Sequence, residues 1–212
     1  MKLSFRYIAN DPGTHLWHSH SGLQRADGLF GAIIVRQNEQ DEILSYLYDY
    51  DLSEHLIVMN DWYDDPIAYN FALHVHTDRT RFNWADSILI NGRGSLSPKV
   101  NFTLDSKNYT LPDAVFKVNS DYRYRFRLVH AGISHCAFQF SIQNHNLKII
   151  ATDGNFVEPF DVEALLIYPG NLYFRLLIII ALSLKISFSF QENVLMLYCM
   201  QTNLKIQYIL LT

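Results

Sequence analysis

Tyr122-Arg123-Tyr124-Arg125-Phe126-Arg127-Leu128 sets an apolar or aromatic side chain against an arginine at every step. Successive side chains of a β-strand point to opposite faces, so this run reads as a strand with one apolar and one charged face. Working outward from it, shorter strand candidates fall at residues 55–59, 87–90, 114–118, 138–142 and 147–151. Turn signals at Asn91-Gly92, Asp153-Gly154 and Pro169-Gly170 separate them. Short strands at this spacing, with no strong helical period and no internal repeat, predict an all-β sandwich or barrel.

Composition is consistent with that. The chain has 212 residues, 49% hydrophobic, 18% charged and 14% aromatic, which is the balance of a globular protein with a real core and a lean toward strands. The net charge of −4 offers no basic face for nucleic acid. Cys136 and Cys199 stand alone, so neither a disulfide framework nor a CxxC pair is present. Two sequons, at Asn101 and Asn108, suit a secreted protein, although such triplets also arise by chance. The first residues carry no apolar run of a signal peptide and read as the middle of a strand.

The sharpest break in composition is at Gly170, because all nine Gly and all six Pro precede residue 171. Residues 171–212 hold only Arg175, Lys185, Glu192 and Lys205 as charged groups. Their longest apolar stretch, 176–184, is far short of the ~20 residues a spanning helix needs, so no membrane anchor is expected. Lacking turn residues, the segment reads as an apolar tail outside the fold, with no related counterpart. The polar run 37–42 reads as a linker or exposed loop. The expected organisation is a partial domain over 1–37, a linker over 38–54, a nearly complete domain over 55–170 and the tail. Thirty-seven residues cannot close a sandwich, so the first domain is expected to lack its first half.

One segment carries chemistry. In Gly13-Thr14-His15-Leu16-Trp17-His18-Ser19-His20, strand geometry puts His18 and His20 on one face and His15, Trp17 and Ser19 on the other. Their backbones stand roughly 7 Å apart, a separation that suits two ions of a close pair or one shared ion. Imidazole serves copper, zinc, iron or nickel, and two structural histidines would show the same alternation. A second such pair, His74-Val75-His76, has featureless flanks and reads as loop or surface.

The first pair is set apart by its continuation, Ser21-Gly22-Leu23-Gln24-Arg25-Ala26-Asp27-Gly28-Leu29-Phe30-Gly31-Ala32-Ile33-Ile34-Val35. The run 13–35 closely resembles the second copper-binding motif of the multicopper oxidases, in particular of insect-type animal laccases. Residues 86–94, 122–128, 149–154 and 168–170 resemble landmarks of the second domain of the same family. The resemblance implies a cupredoxin-like (plastocyanin-like) Greek-key sandwich, copper as cofactor, a phenolic substrate with dioxygen reduced to water, and an extracellular location. It implies that His18 and His20 are ligands of the type 3 copper pair in a trinuclear cluster. Asp27 would relay protons as well as making an Asp-Gly turn, with Trp17 and Gln24 behind the ligands.

The other three copper motifs of the family are absent from the sequence. Ser134-His135-Cys136-Ala137 has Ala137 where the family's His-Cys-His has its second histidine, so His135 and Cys136 read as non-ligands, and His145 as a packing residue. The expectation is a fragment of a laccase-like oxidase that is inactive alone. The competing reading is a non-catalytic, cupredoxin-like binding or interaction protein.

Overall fold

The computed structural model describes residues 4–77, 85–94, 101–104, 107–110, 113–134, 137–169, 178–183, 195–199, 205–207 and 210–211. In chain order the elements begin with β1 (Gly13–His18), β2 (Phe30–Val35), β3 (Leu56–Trp62), α1 (Ile67–Thr77) and β4 (Ser87–Ile90). There follow β5 (Asn101–Leu104), β6 (Lys107–Thr110), β7 (Val115–Phe116), β8 (Arg123–His130), β9 (Phe138–Ile142), β10 (Leu147–Thr152), β11 (Asn155–Val162) and β12 (Ala164–Ile167). The last are β13 (Ile178–Ser183), β14 (Leu195–Cys199), β15 (Lys205–Gln207) and β16 (Leu210–Leu211).

Two sheets make a sandwich, one in the order β11-β10-β13-β8-β3-β4 and one in the order β12-β9-β14-β15. The strand that opened the reading, β8, lies inside the larger sheet, parallel to β3 and antiparallel to β13. Its residues Tyr124, Phe126 and Leu128 enter a core with Ile57 and Met59 of β3, facing Phe138, Phe140 and Ile167 of the smaller sheet. Burial of these side chains is the main favourable term, about 1.5–3 kcal/mol for each large apolar residue.

The charged face of β8 is also covered. Arg125 and Arg127 are 2% and 1% exposed, because the segment between β2 and β3 packs across them. Arg127 donates from Nε to Asp51 Oδ1 at 2.9 Å, from Nη2 to Asp51 Oδ2, and from Nη1 to Thr14 Oγ1 of β1 at 2.6 Å. Arg125 pairs with Glu42 at 3.1 Å and donates to the Tyr48 hydroxyl at 2.8 Å. Arg123, at the exposed end, pairs with Asp49 at 2.8 Å. Buried charges persist only when paired, so the three arginines are answered by three acids of the linker, and the linker is a docked strap. Its backbone joins in, with Tyr50 N donating to Arg123 O and Arg125 N to Tyr50 O.

Two sequence expectations differ from this arrangement. A helix, α1, occupies 67–77 where no helical period was evident. His74 and His76 sit exposed on its last turn, at the surface as the sequence suggests. Most of its large apolar residues, Tyr69, Phe71 and Val75, are exposed, so they trace no buried stripe. The start is instead set by Pro66 and by a carboxylate from outside the helix, taken up below. The described residues beyond 177 lie within the sheets: β13 bridges β10 and β8, with Ile179 opposite Arg127 and Ile180 opposite Ile149, and β14 pairs with β9. Ile178-Ile179-Ile180 shows no period-two alternation and no flanking turn residue, which is why it reads as tail in the sequence. No described helix is long and apolar enough to cross a membrane. The sequon asparagines begin or lie within the paired strands β5 and β6.

Candidate metal centre

β1 and β2 form an antiparallel hairpin in the register Gly13–Val35 to His18–Phe30. Trp17 stands opposite Gly31, and a Cβ on that glycine would come within 2.5 Å of the indole Nε1. The indole thus lies across the partner strand on the face opposite His18, as strand alternation demands, and is 43% exposed. The connecting loop is closed by Ser19 N donating to Leu29 O at 2.9 Å and Leu29 N to Gln24 O at 3.0 Å. Gly28, at φ 98°, makes the Asp-Gly turn back into β2.

The His18 and His20 rings lie 5.8 Å apart, centroid to centroid, at 28° between planes. The rings stack although β1 ends at His18, leaving His20 in the loop beyond the strand. His18 Nδ1 is 2.9 Å from Ser19 O. A carbonyl only accepts, so Nδ1 carries the proton and Nε2 keeps its lone pair for a metal. His20 is exposed and His18 half-buried. This pair fits two ligand positions of a copper cluster. It is not a full set, since no group of three or more His, Cys, Asp or Glu among the described residues could hold a metal ion.

Of the other predicted residues, Gln24 is tied to the pair through Ser19 and Asp27 to α1. Gln24 Oε1 accepts from Ser19 Oγ at 2.5 Å, and Ser21 N donates to the same hydroxyl at 3.2 Å, so Gln24 buttresses the residue between the two histidines. Asp27 Oδ1 accepts from Ile67 N at 3.0 Å. That carboxylate caps the first turn of α1, where it faces unpaired N–H groups and the positive end of the helix dipole. His145 Nδ1 donates to Gln143 O at 2.7 Å at the β9–β10 turn. His135 and Cys136 lie outside the described residues.

Sequence reasoning missed Arg25 and Asp61. Arg25 donates from Nε to Ala131 O at 3.0 Å and from Nη2 to Gly132 O at 2.7 Å. Asp61, 3% exposed, accepts from Ile133 N and, at 2.6 Å, from Ser134 N. Burial draws the Arg25 guanidinium below its ordinary pKa against the pull of the Asp61 charge. Burial also pushes the Tyr63 phenol upward, assisted by Asp61 and Asp86. No spacing rule links residue 25 to residue 61, so only the folded chain brings them together.

A mixed β-sandwich whose interior strand β8 carries a two-histidine hairpin, through Thr14 and Arg127, has a cupredoxin-like architecture. The multicopper oxidase family model matches residues 53–178, and a second multicopper oxidase model matches residues 1–40. The chain belongs to the multicopper oxidase family, whose members are copper-binding oxidoreductases. It is 36% identical to Laccase-1 of Pleurotus ostreatus, over 80% of this chain and 29% of that protein. It is 29% identical to an L-ascorbate oxidase of Brassica rapa subsp. pekinensis, over 82% of this chain and 31% of that protein. A solved multicopper oxidase that functions in iron import superposes with a TM-score of 0.72 at 17% identity, covering 95% of this chain and 34% of that one. The chain spans about a third of the length of the relatives it matches.

Proposed function

We propose that this chain is the part of a laccase-type oxidase that supplies one strand of ligands to the dioxygen-reducing copper cluster, in a protein that oxidises phenolic substrates. The observation that carries the reading is the parallel His18–His20 pair with the His18 Nδ1 proton tied to Ser19 O. Copper, when bound, supplies the one-electron chemistry that couples substrate oxidation to reduction of dioxygen. His18 and His20 present neutral ring nitrogens as type 3 ligands. The Ser19–Gln24 hydrogen bond fixes the peptide between them, and Trp17 braces the far face of the hairpin against Gly31. Asp27, with Oδ1 held by Ile67 N, keeps its second oxygen for passing protons toward the cluster, since forming water consumes protons in a cationic site.

The division into residues 1–37, 38–54 and a second domain from 55 follows from this reading, with the hairpin as the end of the first cupredoxin domain. The resemblance of residues 13–35 to the insect-type animal laccase motif supports an extracellular protein acting on diphenols rather than on ascorbate. With two imidazoles and no further ligand group among the described residues, the 212-residue chain alone is inactive.

Copper stoichiometry and oxygen uptake test this. The isolated chain should hold well under three coppers and consume no oxygen with a diphenol. The protein encoded when flanking exons in frame are included should hold the full copper cluster, consume oxygen with a diphenol, and prefer the diphenol to ascorbate. A stoichiometric cluster in the isolated chain, or the absence of the remaining histidine motifs from the flanking sequence, defeats the proposal. The second outcome leaves the non-catalytic binding protein.

A further inference from the structure

Three successive residues of the hairpin loop reach into the sandwich, each in a different way. Arg25 forks onto the carbonyls of Ala131 and Gly132. Ala26, 7% exposed, packs with Tyr63 and Ile67 in a small apolar cluster that Leu23 and Ile133 extend. Asp27 caps α1 through Ile67 N.

The receiving surface is built to match. Residues 131–134 follow β8 and are drawn inward by Asp61, whose oxygens take the N–H groups of Ile133 and Ser134. Gly132 has no room for a side chain: a Cβ there would lie 2.7 Å from His130 Cε1 and 2.9 Å from Asp61 Oδ1. That close approach turns two consecutive carbonyls toward Arg25, and the buried Asp61 charge balances the guanidinium. A planar fork can satisfy both carbonyls at once, where a point cation has no matching geometry.

We propose that Arg25 is a positioning residue, which locks the ligand hairpin β1–β2 onto the sandwich through the carbonyls of residues 131–132 and the Asp61 carboxylate, and so fixes where His18 and His20 stand. The function of that position rests on the copper reading above; the lock itself does not. The connection back to the ligands is short. Leu29 N and Ser19 Oγ both bond to Gln24, which adjoins Arg25.

The test uses the full chain without metal and compares backbone hydrogen exchange in the parent, Arg25→Ala and Arg25→Lys. Losing charge-assisted hydrogen bonds should speed exchange in β1 and β2 by about tenfold, leave β10 and β11 as in the parent, and be partly reversed by the lysine. Titration with Cu2+ alone should show a Kd raised by about tenfold in Arg25→Ala and partly restored in Arg25→Lys. Unchanged hairpin exchange in Arg25→Ala overturns the lock, and faster exchange with unchanged Cu2+ affinity overturns the positioning role. If the parent binds no Cu2+ yet its hairpin exchange responds to Arg25, the lock stands and the positioning of His18 and His20 for metal by this chain falls. Should Arg25→Ala not fold, Arg25→Gln, which keeps a single donor, replaces it under the same criteria.

Discussion

The Asp27 carboxylate accepts the Ile67 backbone N–H at 3.0 Å, so the acid assigned to proton relay is also the N-terminal cap of a helix forty residues further along the chain. The two jobs separate by mutation. Asparagine retains a capping oxygen, whereas alanine does not. Asp27→Asn should hold the urea midpoint close to the parent's, while Asp27→Ala should lower stability by about 1 kcal/mol. In the complete copper-loaded protein both should slow oxygen reduction. Equal stability loss in the two variants would show that the capping bond contributes nothing.

The strap beneath β8 predicts an acid limb in stability. Burial opposes ionisation of Asp51, but the hydrogen bonds and charge of Arg127, with Arg125 and Arg36 beyond, outweigh it and hold the carboxyl below its ordinary pKa. A folded-state pKa below the unfolded one means stabilisation that is present above the unfolded carboxylate value, near 3.9, and lost as pH falls through the lower folded value. Denaturant midpoints measured from neutrality downward should therefore be flat with respect to this group until about pH 5, then decline. Asp51→Asn should abolish that part of the decline. At neutral pH it should cost about 3–5 kcal/mol, because Arg127 is left buried beside an uncharged partner.

How much of this was legible before folding depends on the range of the determinants. The alternation in residues 122–128 marked β8, and 87–90 and 138–142 are strands to the residue, because period-two patterning is local. The same alternation could not show that Arg125 and Arg127 are buried, since Glu42 and Asp51 arrive from more than seventy residues away. The nearness of His18 and His20 follows from their two-residue spacing, although β1 ends at His18 and the loop, not strand alternation, places His20. Arg25, Asp61 and Gly132 were not, because their partnership exists only across a junction that no periodicity encodes. Helix α1 was hidden for a related reason: its cap is Asp27, outside its own segment.

Gly132 offers a sharper probe of that junction than any charge change. A methyl there would press on His130 and Asp61, each 3% exposed, and neither can swing into solvent. Gly132→Ala should destabilise by about 1–3 kcal/mol, the usual cost of overpacking, read as a lowered melting midpoint. Hairpin protection should fall more than that of β10. At Gly31 the clashing group is the indole of Trp17, which is 43% exposed and free to move, so Gly31→Ala should cost less than Gly132→Ala. The reverse order would mean that the Arg25 landing site is the softer of the two.

The role of residues 171–212 can be decided by shortening the chain, because the two readings predict opposite signs. An apolar tail outside the fold would be a liability, and ending the chain at Gly170 would improve solubility while leaving the unfolding transition intact. With β13 between β10 and β8, removal instead strips the hydrogen-bonding partner from one edge of each of those strands and splits the larger sheet. Both strands carry core side chains, among them Phe126, Leu128 and Leu147, and unpaired edges beside an opened core favour aggregation. The shortened chain should therefore lose cooperative thermal unfolding and associate, as followed by circular dichroism and light scattering. A soluble, cooperatively melting 1–170 chain would remove β13 from the fold and restore Gly170 as its end.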